Sequence, residues 1–257
     1  MGYVVRHNTR LAQVTPSNFA KVLTKERAEQ TFRSNRQLPE VIPEGLYAGR
    51  RCFIIGGGES LRGFDFSKLD KDITIGINKA FAYYSEVKLT YSMDVDFYNA
   101  IVEERLPDGY YTPKEIKEKW LSYGGIRSFI SPPNIKEFGK EVYLIRRLAE
   151  REIRTLAEGI FPGTNCATGA LMLAATLGCN PIYLLGYDLK CKEKTHFHGG
   201  YEPRDIEVYN AKLDGYRVEI EEIAEVVISH GINVINLNPN SNLRCFDFRD
   251  VNILLKN

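Results

Sequence analysis

The chain has 257 residues, 44% of them hydrophobic, with 34 basic against 33 acidic side chains and a formal net charge of +1. That length suits one large α/β domain or a domain with an insertion, and the near-neutral balance speaks against nucleic acid as the main partner, which selects an excess of Lys and Arg. No run of about 18 apolar residues could span a bilayer, and the five cysteines, odd in number and without a C-x-x-C pair, read as reduced thiols of a cytoplasmic protein.

Residues 1–48 read as an accessory helical arm. Its first stretch, MGYVVRHNTRLAQ, is too poor in apolar residues for a signal peptide. Gly2 would suit acylation, but Arg6 stands where that motif wants Ser or Thr. TPSNFAKVLTKERAEQTF then predicts an amphipathic helix, with Thr15 as N-cap and Pro16 at the first helical position. Such an arm would pack on the domain or on another subunit of a homo-oligomer. Pro39 and Pro43 break the chain before the first strand.

From residue 49 onward the pattern is strand, Gly-rich loop, helix, strand. RCFIIGG, DITIGIN (72–78) and KLTYSMD (88–94) are short apolar runs ending near Gly, Asn or Asp. Residues 101–160, rich in charge, Tyr, Pro and Gly, read as an insertion or lid over the strand ends. Within that stretch KEVYLIRRLAEREIRTLAEG returns to a helical period. A helix of small apolar residues follows over 166–177, with Gly178 at its C-terminal end. PIYLLGYDL (181–189) is a strand, and KCKEKTHFHGGYEPRD is a loop. A long helix ends at Gly231, and INVINLN is the last strand. Near-continuous apolar strands alternating with helices predict an α/β, Rossmann-like, mostly parallel sheet with helices on both faces, plus an inserted lid-like segment.

Gly56, Gly57 and Gly58 end the first of these strands. Without Cβ atoms, such a loop can turn backbone N–H groups toward a phosphate at a helix N-terminus. It suits equally a tight strand-to-helix turn that holds no ligand. Two familiar nucleotide fingerprints fail. The G-x-G-x-x-G pattern meets Leu61 at its third small position, and the second strand ends in Asn78 where a carboxylate is expected. No Lys-Ser/Thr follows the glycines as in a P-loop.

In a parallel sheet the ligand lies outside the carboxyl ends of the strands. Those ends carry Gly56–Ser60, Asn78, Asp94 with Asp96, and Asp188. Thr164, Asn165 and Thr168 open the small-residue helix as caps or anion ligands. On a strand, Asp94 and Asp96 would face one side and let a divalent ion such as Mg²⁺ bridge them to a diphosphate; otherwise the pair marks a strand end capping the next helix. His196 and His198 sit in a Gly-flanked loop, where an imidazole could act as general acid or base. They equally suit a surface loop with no role, and an H-x-H pair here lacks nearby ligands to complete a metal site.

Four stretches, IIGGGESLRGFDFSKL, TIGINKAF, ATGALMLAATLGCNPIYLLGYDL and NPNSNLRCF, resemble in order and spacing the bacterial sialyltransferases of glycosyltransferase family 42. GYDLKCKEKTHFHGG is similar to the related 6-hydroxymethylpterin diphosphokinase-like family. The resemblance covers residues 51–100 and 160–250. It implies a CMP-sugar type donor, with Gly57, Gly58 and Ser60 at the donor phosphate and Asn78 bonding the donor. Thr168 and Gly169 would approach its phosphate and sugar, and Asp188 would hold its ribose or cytidine. His196 or His198 would be the base, with Tyr201 assisting. There are departures from the family pattern: Glu59 stands where it has Pro, and the His loop follows the strand more closely.

These readings predict a nucleotide-dependent transferase. One form is a glycosyltransferase passing a sugar from a nucleotide-sugar to a glycan or small hydroxyl acceptor. An alternative is a diphosphokinase acting on a hydroxymethyl, pterin-like acceptor, its Mg²⁺ held by Asp94, Asp96 and Asp188. A third is a non-catalytic nucleotide-binding module.

Overall fold

The computed structural model of the chain describes residues 3–7, 10–14, 35–132, 138–199 and 205–255. A hairpin-like pair, β1 (Tyr3–His7) and β2 (Arg10–Val14), is antiparallel and separate from the main sheet. That sheet has nine strands: β3 (Arg36–Gln37), β4 (Cys52–Ile55), β5 (Ile73–Ile77), β6 (Leu89–Ser92), β7 (Ile126–Ile130), β8 (Val142–Ile145), β9 (Ile182–Leu185), β10 (Val234–Asn236) and β11 (Asp247–Phe248). All neighbours are parallel, in the order β11-β10-β9-β4-β5-β6-β7-β8-β3.

The chain therefore winds outward from β4 to β8, returns to β9 on the other side of β4, and winds outward again. This is a doubly wound, Rossmann-like fold, and its strand order reverses between β4 and β9. There the two connections leave in opposite directions, which opens a crevice at the carboxyl ends of both strands.

Both faces of the sheet are covered. All four residues of β4 are fully buried; Cys52 and Ile54 pack into one apolar layer, Phe53 and Ile55 into the other. The first layer holds α4 (Cys166–Thr176) and α5 (Ile206–Ser229). The second holds α1 (Ala80–Tyr83), α2 (Val95–Val102) and α3 (Pro113–Ser122). A last short helix, α6 (Val251–Leu254), follows β11. The helix α4 is buried almost all round because its small residues let it lie close against the strands. Leu177 caps its end, and Gly178 continues at φ +75°, a left-handed turn that glycine adopts without strain.

Three expectations need correction. No α-helix follows the glycine loop; two short 3₁₀ turns do, Glu59–Leu61 and Phe66–Leu69. Gly63 at φ +73° breaks the run, and Asp65 starts a new turn by accepting from the Ser67 amide. The stretch expected as a lid is woven into the domain: α3 packs against α1 and α2, and β7 and β8 extend the sheet. The helical period over 140–159 yields β8, because Val142–Ile145 is buried between β7 and β3 on the sheet. The charged residues after it follow an open path, tied back by a bridge from Arg147 to Ile160. Of the arm, β3 joins the sheet edge, while the helix expected from Thr15 lies outside the described residues. Among the described residues no helix is long and apolar enough to cross a membrane.

One buried cation ties the second layer to the sheet. Arg127 on β7 reaches the carboxyl end of α3 and donates to the backbone carbonyls of Trp120 and Tyr123. Its guanidinium also lies 5.0 Å from the centre of the Trp120 ring. Orphan carbonyls at a helix end favour a cation. An Arg127→Met variant should lose about 2 kcal/mol of stability, the usual worth of hydrogen bonds to a charged group. Urea unfolding measures it; a loss below about 0.5 kcal/mol would show that the carbonyls find other partners.

Candidate functional site

A cleft of about 480 Å³ lies at the β4–β9 switch point. Its floor is Gly56–Gly58 from β4, Asn78 from β5, Asp94 after β6 and Gly186–Asp188 after β9. One wall is the start of α4, through Thr164, Asn165, Cys166 and Ala167. Another is α5, which presents Tyr209, Lys212, Leu213 and Tyr216. The loop after β9 closes it with Lys190, Thr195 and His196. A second hollow of about 540 Å³ sits at the opposite, amino-terminal ends of β6 and β7, away from the strand-order switch, and is lined by Tyr47, Glu86, Lys88, Lys119 and Tyr123 but by no histidine.

The triglycine is explained first by the chain segments it must touch. The Gly56 and Gly58 amides donate to the Leu185 and Gly186 carbonyls at 2.8 and 2.9 Å. A Cβ on Gly56 would lie 2.8 Å from the Gly186 oxygen. One on Gly58 would lie 2.4 Å from Asp188 Cγ, and one on Gly57 would lie 2.5 Å from His196 Cδ2. Gly57 is also the anchor of the His loop, its carbonyl accepting from the Phe197 amide at 3.0 Å. Of the three glycines, Gly57 alone has no protein acceptor for its amide among the described residues.

Ser60 and Asp188, both expected at the donor, hold each other. The Asp188 carboxylate accepts from the Ser60 amide at 2.8 Å, from the Ser60 hydroxyl, and from Asn238 Nδ2 at 2.8 Å. Asn78 stands in the left-handed region at φ 50°, where Asn is tolerated better than most residues. Its Oδ1 lies 3.6 Å from the Cys166 thiol. That contact turns its amide nitrogen away from the thiol.

Asp94 is the N-cap of α2, its Oδ1 accepting from the Asp96 and Phe97 amides. Because the strand has already ended, the two aspartates are not the same-side pair a bridging ion would need. Asp94 lines the cleft and Asp96 does not. Among the described residues no three His, Cys, Asp or Glu side chains gather to hold a metal ion. Nothing here fits a resident Mg²⁺ beyond single carboxylates already bonded to protein.

Thr168 and Gly169 lie behind the cleft wall. Asn165 caps α4, its Oδ1 accepting from the Ala167 and Thr168 amides at 3.0 Å each. Thr168 is fully buried and accepts from Asn165 Nδ2 at 2.8 Å. A Cβ on Gly169 would meet the Tyr91 hydroxyl at 2.0 Å. This cap is fixed by Glu219 of α5, which accepts from the Thr164 amide at 2.7 Å, the Thr164 hydroxyl at 2.6 Å and Asn165 Nδ2 at 2.8 Å.

The two histidine rings lie 5.6 Å apart, centre to centre, but only His196 lines the cleft. His196 faces the cleft, with Nδ1 2.9 Å from Thr195 Oγ1. His198 stacks on Tyr83, with centroids 4.5 Å apart and planes at 14°. Burial, together with the Lys79 charge, pushes its pKa down to about 4, so it is a neutral ring at ordinary pH. Tyr201 lies outside the described residues.

No family model matches the chain, and no curated protein does. A solved structure shows a distant likeness. It is the crystal structure of a mammalian sialyltransferase, 14% identical, matching over 81% of this chain and 84% of its own at a TM-score of 0.35. At that score the match carries no argument about chemistry, which rests on the cleft itself.

Sequence reasoning missed the α5 wall and Lys190. Tyr209, Lys212, Leu213 and Tyr216 recur at helical spacing on one face, but that face reads as an ordinary amphipathic stripe until α5 is seen beside the β9 loop. Asn210 clamps the two together, bonding the Cys191 amide at 2.8 Å and its carbonyl at 2.9 Å.

Two outcomes are expected here. Gly58→Ala drives Cβ into Gly186 backbone and Asp188, and should lower Tm by several degrees; Gly57→Ala displaces only the His196 ring and should leave Tm nearly intact. Similar melting losses for both would contradict this division. The depressed His198 pKa means that unfolding takes up a proton between about pH 4 and pH 6.5, so stability falls as pH is lowered through that window. His198→Phe should show a shallower loss of Tm over it, whereas equal pH slopes would mean that His198 titrates normally.

Proposed function

We propose that the protein is a nucleotide-dependent glycosyltransferase, with the nucleotide-sugar donor in the β4–β9 cleft and His196 as general base. The observation carrying this reading is convergence. One cleft joins the Gly57 amide, the opening of α4, two lysines, two tyrosines of α5 and one imidazole. Backbone amides and lysines suit a phosphate, tyrosine rings suit a base or sugar, and an imidazole suits proton transfer.

The chemistry would be direct displacement. An acceptor hydroxyl oxygen attacks the anomeric carbon as the bond to the nucleotide phosphate breaks. His196 Nε2 takes the hydroxyl proton, provided Nδ1–H donates to Thr195 Oγ1 and fixes that tautomer. The bonding electrons leave with the phosphate, and Gly57 N–H, Lys190 and Lys212 stabilise its charge. The sequence resemblance favours a CMP-type donor.

The diphosphokinase reading is weaker here. It needs Mg²⁺ for a polyphosphate, and Asp94 and Asp188 are already engaged by two and three protein donors. A panel of CMP, CDP, ATP and GTP, with and without Mg²⁺, tests both by thermal shift. CMP should raise Tm without metal. His196→Ala should keep that shift while CMP release from a CMP-sugar, with acceptor saccharide present, falls about 10²–10⁴-fold. Stabilisation by ATP only with Mg²⁺ would overturn the proposal in favour of the kinase, and silence toward every nucleotide would overturn both.

A further inference from the structure

The loop Thr195–Gly199 has two sides. His196 faces the cleft, and its ring lies 5.6 Å from that of His198, which with Phe197 begins a strip of rings leading away from the cleft. From His198 the strip runs to Tyr83, then to Tyr111 at 5.3 Å and Tyr110 at 6.4 Å. In the other direction Phe197 meets Phe66 at 6.0 Å. Tyr110 is 77% exposed, the most open large hydrophobic side chain among the described residues. The segment that carries it abuts the His loop: a Cβ on Gly199 would lie 3.1 Å from Gly109 Cα.

We propose that this strip, centred on Tyr83, Tyr110 and Tyr111, is the acceptor surface of the enzyme and that its occupant is a glycan built of pyranose rings. The inference rests on the preceding assignment of His196 as base. An acceptor hydroxyl must reach that imidazole from outside the donor cleft, so the acceptor body must lie on the surface continuous with His196. That surface is aromatic, with Lys119 over the Tyr111 ring at 4.2 Å. A pyranose matches it: its C–H face stacks on a ring while its hydroxyls stay in water or bond to tyrosine hydroxyls. A neutral, stacked His198 serves there as another flat ring. Tyr83, Tyr111, Phe66 and Phe197 are half-buried against the second layer and Tyr110 is the exposed end of the strip, and open aromatic area joined to a cleft in this way marks a binding site.

The test uses the full chain and neutral saccharides (lactose, N-acetyllactosamine and cellotetraose) followed by saturation-transfer NMR and titration calorimetry. At least one should bind. Tyr110→Ala should weaken it about tenfold and Tyr110→Trp should restore it, while the CMP-induced Tm shift stays that of the wild type. Absence of saccharide binding to the wild type, or binding indifferent to Tyr110→Ala, overturns the proposal. So does a dimer that Tyr110→Ala turns into monomer on size exclusion without any saccharide effect, since the strip would then be a protein interface. Saccharide binding dependent on Tyr110 in a chain that ignores all nucleotides would sustain the strip and refute the donor assignment instead.

Discussion

The site depends on one junction, the fastening of the glycine loop to the end of β9. Backbone bonds from Gly56 to Leu185 and from Gly58 to Gly186 carry the β4–β9 pairing past the last residues of the strands. Beyond them the Asp188 carboxylate gathers Ser60 and Asn238. The Asp188 carbonyl accepts from the Asn242 amide, and the Ser241 hydroxyl bonds the Tyr187 carbonyl. Three chain segments far apart in sequence are thus locked to one buried acid. A buried carboxylate left without these donors would cost several kcal/mol, which ties the three segments to one another.

That junction places the chemistry. Because Gly57 lacks a side chain, the His196 ring can lie against the loop backbone, and because its carbonyl holds the Phe197 amide, the ring is delivered from a fixed point. His196 lines the cleft, His198 lies beside it at 5.6 Å and stacks on Tyr83, and Phe197 turns toward Phe66. A single loop thereby borders both the cleft and the aromatic strip. Two histidines two residues apart are alike in sequence, yet one lines the cleft and the other is a desolvated ring stacked on Tyr83.

The same junction explains what was legible. Strands such as CFII and IYLL read clearly because burial on both faces leaves only apolar residues. The loop motifs GGGES, GYDL and NPNSNL read clearly too, but several of their polar residues serve the junction. Ser60, expected at a phosphate, bonds Asp188; Thr168 sits behind its cap. Motif residues can mark a site by building its frame. The β8 strand was obscured because VYLI is followed by a charged run whose spacing imitates a helix, and only pairing with β7 and β3 decides its form. Tyr209 and Lys212 were invisible as site residues because a stripe on a helix does not say what it faces.

The electrostatics of the cleft follow from how its acids are used. Asp188 and Glu219 each accept from three protein donors, and Asp94 from two amides of α2. These bonds fix the position of each acid in the frame. Lys190 and Lys212 point to the same space without a carboxylate partner among the described ion pairs. The opening of α4 adds the positive end of a helix. A carboxylate bonded to neutral donors keeps its charge, so the lining balances Lys190 and Lys212 against Asp94 and Asp188 rather than carrying one sign. Each engaged acid is a fixed point of the frame, and the two lysines are the charged groups of the lining left to meet a ligand.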